Sequence, residues 1–253
     1  STKTVNAGTA NEYTAWDTSA ATNMEVMFEQ TQFNQDISGW DTSGVKNMRN
    51  MFRLCPFNQD ISSWIVSSVT NMELMFLDNS MFNQNLSSWD VSSVTNMSEM
   101  FRNATSFNKP LLWSPTSLQN ASGMFSGANS FDKSINWSTP NLKNISAMFK
   151  DADALNSDID LNTSSVTNMR SVFDRAMIFN GNITNWDTSS VTTMQRMFAG
   201  ANNFNQDITG WNTSTVSNMN TMFFNAIDFN QDISSWDVSN VTIFEEDPLP
   251  TGN

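Results

Sequence analysis

The chain has 253 residues, a formal net charge of −13, one cysteine and no histidine. Without histidine no Ser/His/Asp or Cys/His nucleophile can be built, zinc loses its commonest ligand, and one cysteine cannot close a disulfide within the chain. The acidic balance argues against nucleic acid and anionic membrane surfaces, no apolar run approaches a membrane span, and paired carboxylates remain compatible with the composition as an acid/base pair for hydrolysis.

Residues 1–12 read as an N-terminal edge or cap. The chain opens on Ser1 rather than methionine, so it is expected to be a segment of a larger protein. Tyr13 stands three residues before Trp16, and from there to residue 244 one unit of 24 or 25 residues recurs about nine to ten times. Phe28, Phe52, Phe76, Phe101, Phe125, Phe149, Phe173, Phe198 and Phe223 mark one column. Phe33, Phe57, Phe82 and their successors to Phe229 mark a second, with Leu155 in one gap. Every tryptophan, from Trp16 to Trp236, falls in a third, where Leu161 is the substitute.

The unit running from Phe33 to Phe52 shows two segments. Val45, Met48, Met51 and Phe52 are spaced to face one side of a short helix or helical turn, with Asp41, Thr42 and Ser43 ahead of it as capping oxygens. Asp36-Ile37-Ser38 places one apolar residue between polar ones, which predicts a short parallel strand with Ile37 inward. A single unit cannot bury its own Trp, Phe and Met; stacked units can, because each column then packs on its copies. The expected fold is a leucine-rich-repeat-like solenoid with one strand and one helix or helical turn per coil, rising ~4.8 Å per coil.

Three central coils depart from the pattern. One residue is missing between Phe107 and Trp113, between Phe131 and Trp137, and between Leu155 and Leu161. The chemistry there changes to Lys109-Pro110-Leu111-Leu112, Lys133-Ser134-Ile135-Asn136 and Ser157-Asp158-Ile159-Asp160. Exposed strand positions are where repeat proteins write specificity, so Lys109, Lys133, Asn136, Asp158 and Asp160 form the candidate ligand patch. Toward the end the periodicity fails at Glu245, Glu246, Asp247 and Pro248, and residues 245–253 read as a tail or linker. Within it, Leu249-Pro250-Thr251-Gly252 lacks the residue that a sortase signal carries between proline and threonine.

The run Phe-Asn-Gln-Asp-Ile-Ser-x-Trp-Asp-Val-Ser-x-Val-x-x-Met-x-x-Met-Phe resembles the DUF285 repeat of bacterial surface proteins, found in mycoplasma lipoproteins and Gram-positive cell-wall proteins. It is also similar to BspA-type leucine-rich repeats, in which a small residue follows the phenylalanine, here Cys55, Ala104, Ala128, Ala152, Ala176, Ala201 and Ala226. The resemblance implies an extracellular location and a part in adhesion or protein contact.

Two asparagine columns, Asn23 to Asn218 and Asn34 to Asn230, are expected to bond the backbone of neighbouring coils. Two aspartate columns hold Asp36, Asp60, Asp158, Asp207 and Asp232, and Asp17, Asp41, Asp90, Asp187 and Asp237. Stacked carboxylates repel, and calcium between coils would relieve that; capping and solvation are the competing reading, favoured because Ile65, Asn85, Pro110, Ser114 and Ser138 interrupt the columns. Thr18, Thr42, Thr188 and Thr213 could form a flat ice-binding ladder, although valine alternates with them. Cys55 and the methionines are expected in the core.

The functional expectation is a non-enzymatic extracellular module, without a cofactor, that binds protein or glycan on a host or neighbouring cell. It is expected to be a monomeric segment attached to a surface through other regions, with no nucleic-acid partner and no membrane insertion. The alternative is a structural stalk, calcium-rigidified in one version. A glycan-cleaving enzyme is the third reading, weakened because no carboxylate pair stands apart from the repeated ones.

Overall fold

The computed structural model describes residues 2–5 and 13–242. The tail at 245–253 and most of the N-terminal edge lie outside the described residues. Successive units lie on one another in register. Parallel bridges run from Asn23 to Asn47, Asn71, Asn96, Asn120, Asn144, Asn168, Thr193 and Asn218 without a break.

The backbone joins between coils fall on the segment where a helix is expected. The N–H groups of Met48, Asn50, Phe52 and Leu54 donate to the carbonyls of Asn71, Glu73, Met75 and Leu77 in the next coil, at 2.9–3.0 Å. Inside the coil, Met51 N–H reaches Met48 O and Arg53 N–H reaches Asn50 O. Asn50 and Leu54 have φ of 57° and 52°. Positive φ at the third residue is what a type II turn requires, and it breaks an α-helix at once. Among the described residues no α-helix forms; each coil has a run of turns. A run of turns returns Met48, Met51 and Phe52 to the interior with a spacing close to that of a helix, so the apolar pattern alone does not separate the two.

The expected strand at Asp36-Ile37-Ser38 is absent as well. In that coil Trp40 N–H donates to Ile37 O across a turn, and the same bond recurs at Trp64, Trp89, Trp186, Trp211 and Trp236. Among the described residues strands are confined to two places. β1 (Thr2–Val5) and β2 (Tyr13–Trp16) form an antiparallel pair at the start, and β3 (Ile135–Trp137) and β4 (Ile159–Leu161) pair in parallel in the centre.

The core is a set of side-chain columns. Phe52, Phe76, Phe101, Phe125, Phe149, Phe173 and Phe198 stack with centroids 5.5–5.6 Å apart, an offset arrangement that suits the ring quadrupole. Within a coil, Phe52 and Phe57 stack at 4.0 Å. Met48, Met51, Val45 and Cys55 are buried among them. Each such side chain contributes roughly 1.5–3 kcal/mol on burial, and only a neighbouring coil supplies that burial.

Side chains close the remaining backbone groups. The Asn34 column is a continuous ladder: Asn58 N–H donates to Asn34 Oδ1, Asn83 N–H to Asn58 Oδ1, and so on to Asn230 N–H on Asn205 Oδ1. The Asn23 column works differently from expectation. Its side chains accept from their own coil two residues on, as Arg49 N–H does to Asn47 Oδ1 at 3.1 Å, while its backbone makes the bridges. Several tryptophans donate their indole N–H backward, among them Trp64 to Ile37 O and Trp89 to Ile61 O, both at 3.1 Å. The threonine column is not a surface ladder: Thr42, Thr188 and Thr213 are 1% exposed, and their hydroxyls donate to the carbonyls of Ile65, Asn212 and Asp237. An ice-binding face at these residues is excluded by that burial.

Candidate functional site

Both aspartate columns lie at coil corners, and apart from Asp158 their side chains close local turns. Ser38 N–H donates to Asp36 Oδ1 and Ser62 N–H to Asp60 Oδ1, at 2.9 and 2.8 Å. Ser92 and Ser189 do the same to Asp90 and Asp187. These bonds favour the ionised form, so Asp36 and Asp60 sit below the usual carboxylate range, chiefly through the backbone N–H of Ser38 and Ser62. For Asp90 and Asp187 the serine hydroxyl is the larger cause. Asn85, Asn162, Asn182 and Asn212 occupy equivalent positions and accept the same bond, so the turn needs an acceptor and not a charge. Among the described residues no group of three or more acidic or cysteine side chains is arranged to hold a metal ion.

The central corner is where the geometry changes. Removing one residue removes the turn: no bond like that of Trp40 to Ile37 forms at Trp113, Trp137 or Leu161. The backbone instead runs straight, and in two of the three coils it pairs as β3 and β4, with Asn136 opposite Asp160. Leu161 has no indole N–H to give to the preceding coil. At this step the backbone takes over, with Ile135 N–H on Asp158 O at 3.1 Å.

Alternation along an extended segment turns Ile135, Trp137, Ile159 and Leu161 inward and Asn136 and Asp160 outward. Leu112 occupies the same outward column one coil earlier and is 78% exposed. Asp158 Oδ1 accepts Asn182 N–H at 2.9 Å, and Asp158 and Asp160 line a hollow of about 130 Å³ with Asn182 and Asn185. The structure therefore brings Asn136, Asp158 and Asp160 onto one flat corner. Lys109 and Lys133 are half-buried on the preceding coils, in the column that Gln35 and Gln59 occupy elsewhere. Among the described residues no ion pair joins either lysine to Asp158 or Asp160.

Lys133 instead adjoins Asp132, which replaces asparagine in the side-chain ladder. Asp132 Oδ1 accepts Asn156 N–H, Ser157 N–H and Ser157 Oγ–H at 2.7–3.0 Å. Burial would raise this carboxyl, but those bonds and the Lys133 charge outweigh it and lower it. Leu112 was not among the residues singled out by sequence; an apolar side chain at an outward position of the shortened coil is the signal that identifies it.

A second hollow, not expected from the sequence, lies on the turn segments. Gly123 and Ser126 stand where the preceding coil carries Glu99 and Arg102, and beside the short Ser122 and Ser146 they open a groove of about 460 Å³ between Glu99 and Arg102 on one side and Lys150, Asp151 and Arg175 on the other. Its charges are matched in pairs: Arg102 with Glu99 at 2.8 Å, and Arg175 Nη2 with Asp151 at 2.7 Å. Gly123 and Gly127 have φ of 60° and 68°. They are the only coil's pair of positive-φ positions to hold glycine twice among the described residues, and that pair was the available signal.

A family model described as "Mycoplasma protein of unknown function, DUF285" matches the chain three times, over residues 2–113, 56–162 and 160–247. No curated protein and no solved structure matches it. Among the described residues no helix is long and apolar enough to cross a membrane.

Proposed function

The chain belongs to the DUF285 family, and from that premise we propose that it is a leucine-rich-repeat-like solenoid acting as a non-enzymatic, extracellular binding module for protein or glycan at a cell surface. The observation that carries this reading is the flattened central corner. In three consecutive coils the turn before the tryptophan column is missing, and Leu112, Asn136 and Asp160 face outward in one column. A flat surface with one apolar group beside amide and carboxylate groups offers both apolar contact and directional hydrogen bonds. The net charge of −13 opposes a polyanionic partner.

Binding to a glycan array and to intact cell surfaces tests the proposal. The substitutions Leu112→Ser, Asn136→Ala and Asp160→Ala together should weaken binding by about tenfold or more, while Asp232→Asn, at the same corner near the end of the stack, should not. Absence of any partner, or binding indifferent to the triple substitution, overturns it.

The second reading is a purely structural stalk, supported by the unbroken stacking of coils along the chain, with rigidification by calcium on the aspartate columns as one version of it. A melting midpoint raised by calcium and lowered by chelator supports the calcium version; an unchanged midpoint removes calcium stiffening and leaves the plain stalk.

A further inference from the structure

The chain is strongly acidic, yet all six of its arginines, from Arg49 to Arg196, lie on the turn segments. Several of them staple neighbouring coils. Arg49 pairs with Glu25 and Glu73, and Arg196 places two bonds on the buried Asp174, at 3.1 and 3.2 Å.

In the groove of about 460 Å³ this stapling runs short. Lys150 meets Asp174 only at 4.0 Å, on a carboxylate that Arg196 already occupies. Among the described residues the Lys150 ammonium donates no hydrogen bond. Arg102 gives Nη1 to Glu99 and keeps the rest of its guanidinium donors. The hydroxyls of Ser122, Ser126 and Ser146 line the same space and have no protein partner among the described residues. Arg102, Ser126 and Lys150 share one column of consecutive coils. The two cations therefore stand two coils apart, roughly 9.6 Å by the coil rise, with only a serine between them.

The geometry points to this groove as a binding site for one carboxylate-bearing sugar residue of a glycan. The carboxylate sits between Lys150 and Arg102, and the ring hydroxyls meet Ser122, Ser126 and Ser146. Charge sets the acid count. Arg102, Lys150 and Arg175 face Glu99 and Asp151 across the lining, so one positive charge is left to meet one carboxylate. A polyanion would instead meet the field of a chain at −13. The walls set the class. They carry no aromatic side chain and no aliphatic one larger than Ala147, so an apolar peptide anchor gains little there. A sugar brings both donors and acceptors to hydroxyls and charged groups that still have capacity for them. The groove shares no residue with the flattened corner around Asn136 and Asp160, and it stands whether or not that corner binds.

NMR titration of the full chain with methyl glucuronide and with sialyllactose tests this, with methyl glucoside and lactose as the neutral counterparts. At least one acidic sugar should shift the amides of Gly123, Ser126 and Ala147, and should bind at least about tenfold tighter than its neutral counterpart. Lys150→Gln keeps the length of the side chain and removes its charge, and should weaken binding by about tenfold. Ser122→Glu introduces the residue that Glu73 holds in the same column; it should abolish binding and leave the melting midpoint unchanged. Leu112→Ser with Asn136→Ala and Asp160→Ala should bind these sugars as the native chain does, which separates this site from the corner. The proposal fails if neither acidic sugar moves the groove amides, if the neutral sugars bind equally well, or if Lys150→Gln binds like the native chain.

Discussion

Trp64 donates its indole N–H to the carbonyl of Ile37, one coil earlier, at 3.1 Å. This bond replaces the strand pairing expected at that corner. Trp40 N–H occupies the same carbonyl from within the coil, so one oxygen closes a turn and anchors the next unit. Trp211 sits in the same column, yet its Nε1 is buried with no partner.

The contrast sets the first prediction. Trp64→Phe keeps an aromatic ring in the column and removes the donor, and should cost about 1–2 kcal/mol. Trp211→Phe removes a donor that is already unsatisfied, and should be neutral or stabilising. Urea midpoints check this; equal losses in the two variants contradict it.

The turn segments hold non-glycine residues at positive φ, among them Ala147 at 54°. Left-handed backbone costs an L-residue roughly 1–2 kcal/mol. Ala147→Gly should therefore stabilise the protein, less the entropy glycine adds to the unfolded chain, for a net gain of about 0.5–1 kcal/mol. Gly127→Ala should do the reverse with a larger cost, because its new Cβ would lie 2.2 Å from Asn103 Oδ1 as well as at φ 68°. Thermal melts of the two variants give the signs.

The corner aspartates predict an acid-sensitive stability. Asp90 and Asp187 have folded pKa values lowered by Ser92 and Ser189, so the unfolded chain binds protons first as pH falls. Their contribution is complete above the unfolded value of about 3.9 and is lost as pH drops through the lower folded value. Because Asn162 and Asn212 make the same bond in the same column, Asp90→Asn with Asp187→Asn should hold the midpoint at pH 7 and reduce its fall toward pH 2. A variant that falls as steeply as the native chain refutes the assignment.

The register of the repeat was legible because it is written in bulky residues. Phe52, Phe76 and Phe101 can be buried only against their copies, and the structure stacks them so. The local conformation was not legible. Val45, Met48, Met51 and Phe52 satisfy a helical spacing and a run of turns equally, and the positive-φ positions that decide between them hold Leu54 and Leu74 as readily as Asn50 and Asp78, so the asparagine and aspartate that favour left-handed backbone do not recur there as a column. The strand expected around Ile37 failed because the two residues before Trp40 make room for a turn. Deleting one of them in the central coils lets Ile135–Trp137 extend. That deletion is visible in the sequence, and Asn136, Asp158 and Asp160, which flank it, share the resulting corner. Lys109 and Lys133 lie close to them along the chain but belong to the glutamine column.

Cross-linking tests the in-register stack most directly. Thr70 and Thr95 are neighbours in one column, with Thr95 N–H on Thr70 O at 2.9 Å, and Gln119 lies one further coil away. Backbones in that contact are within the ~4.4–6.8 Å Cα separation a disulfide accepts, and two steps are not. Thr70→Cys with Thr95→Cys should oxidise rapidly to an intramolecular disulfide under mild oxidant, and Thr70→Cys with Gln119→Cys should stay reduced. Failure of the first pair to close, or closure of the second at the same rate, contradicts the stack.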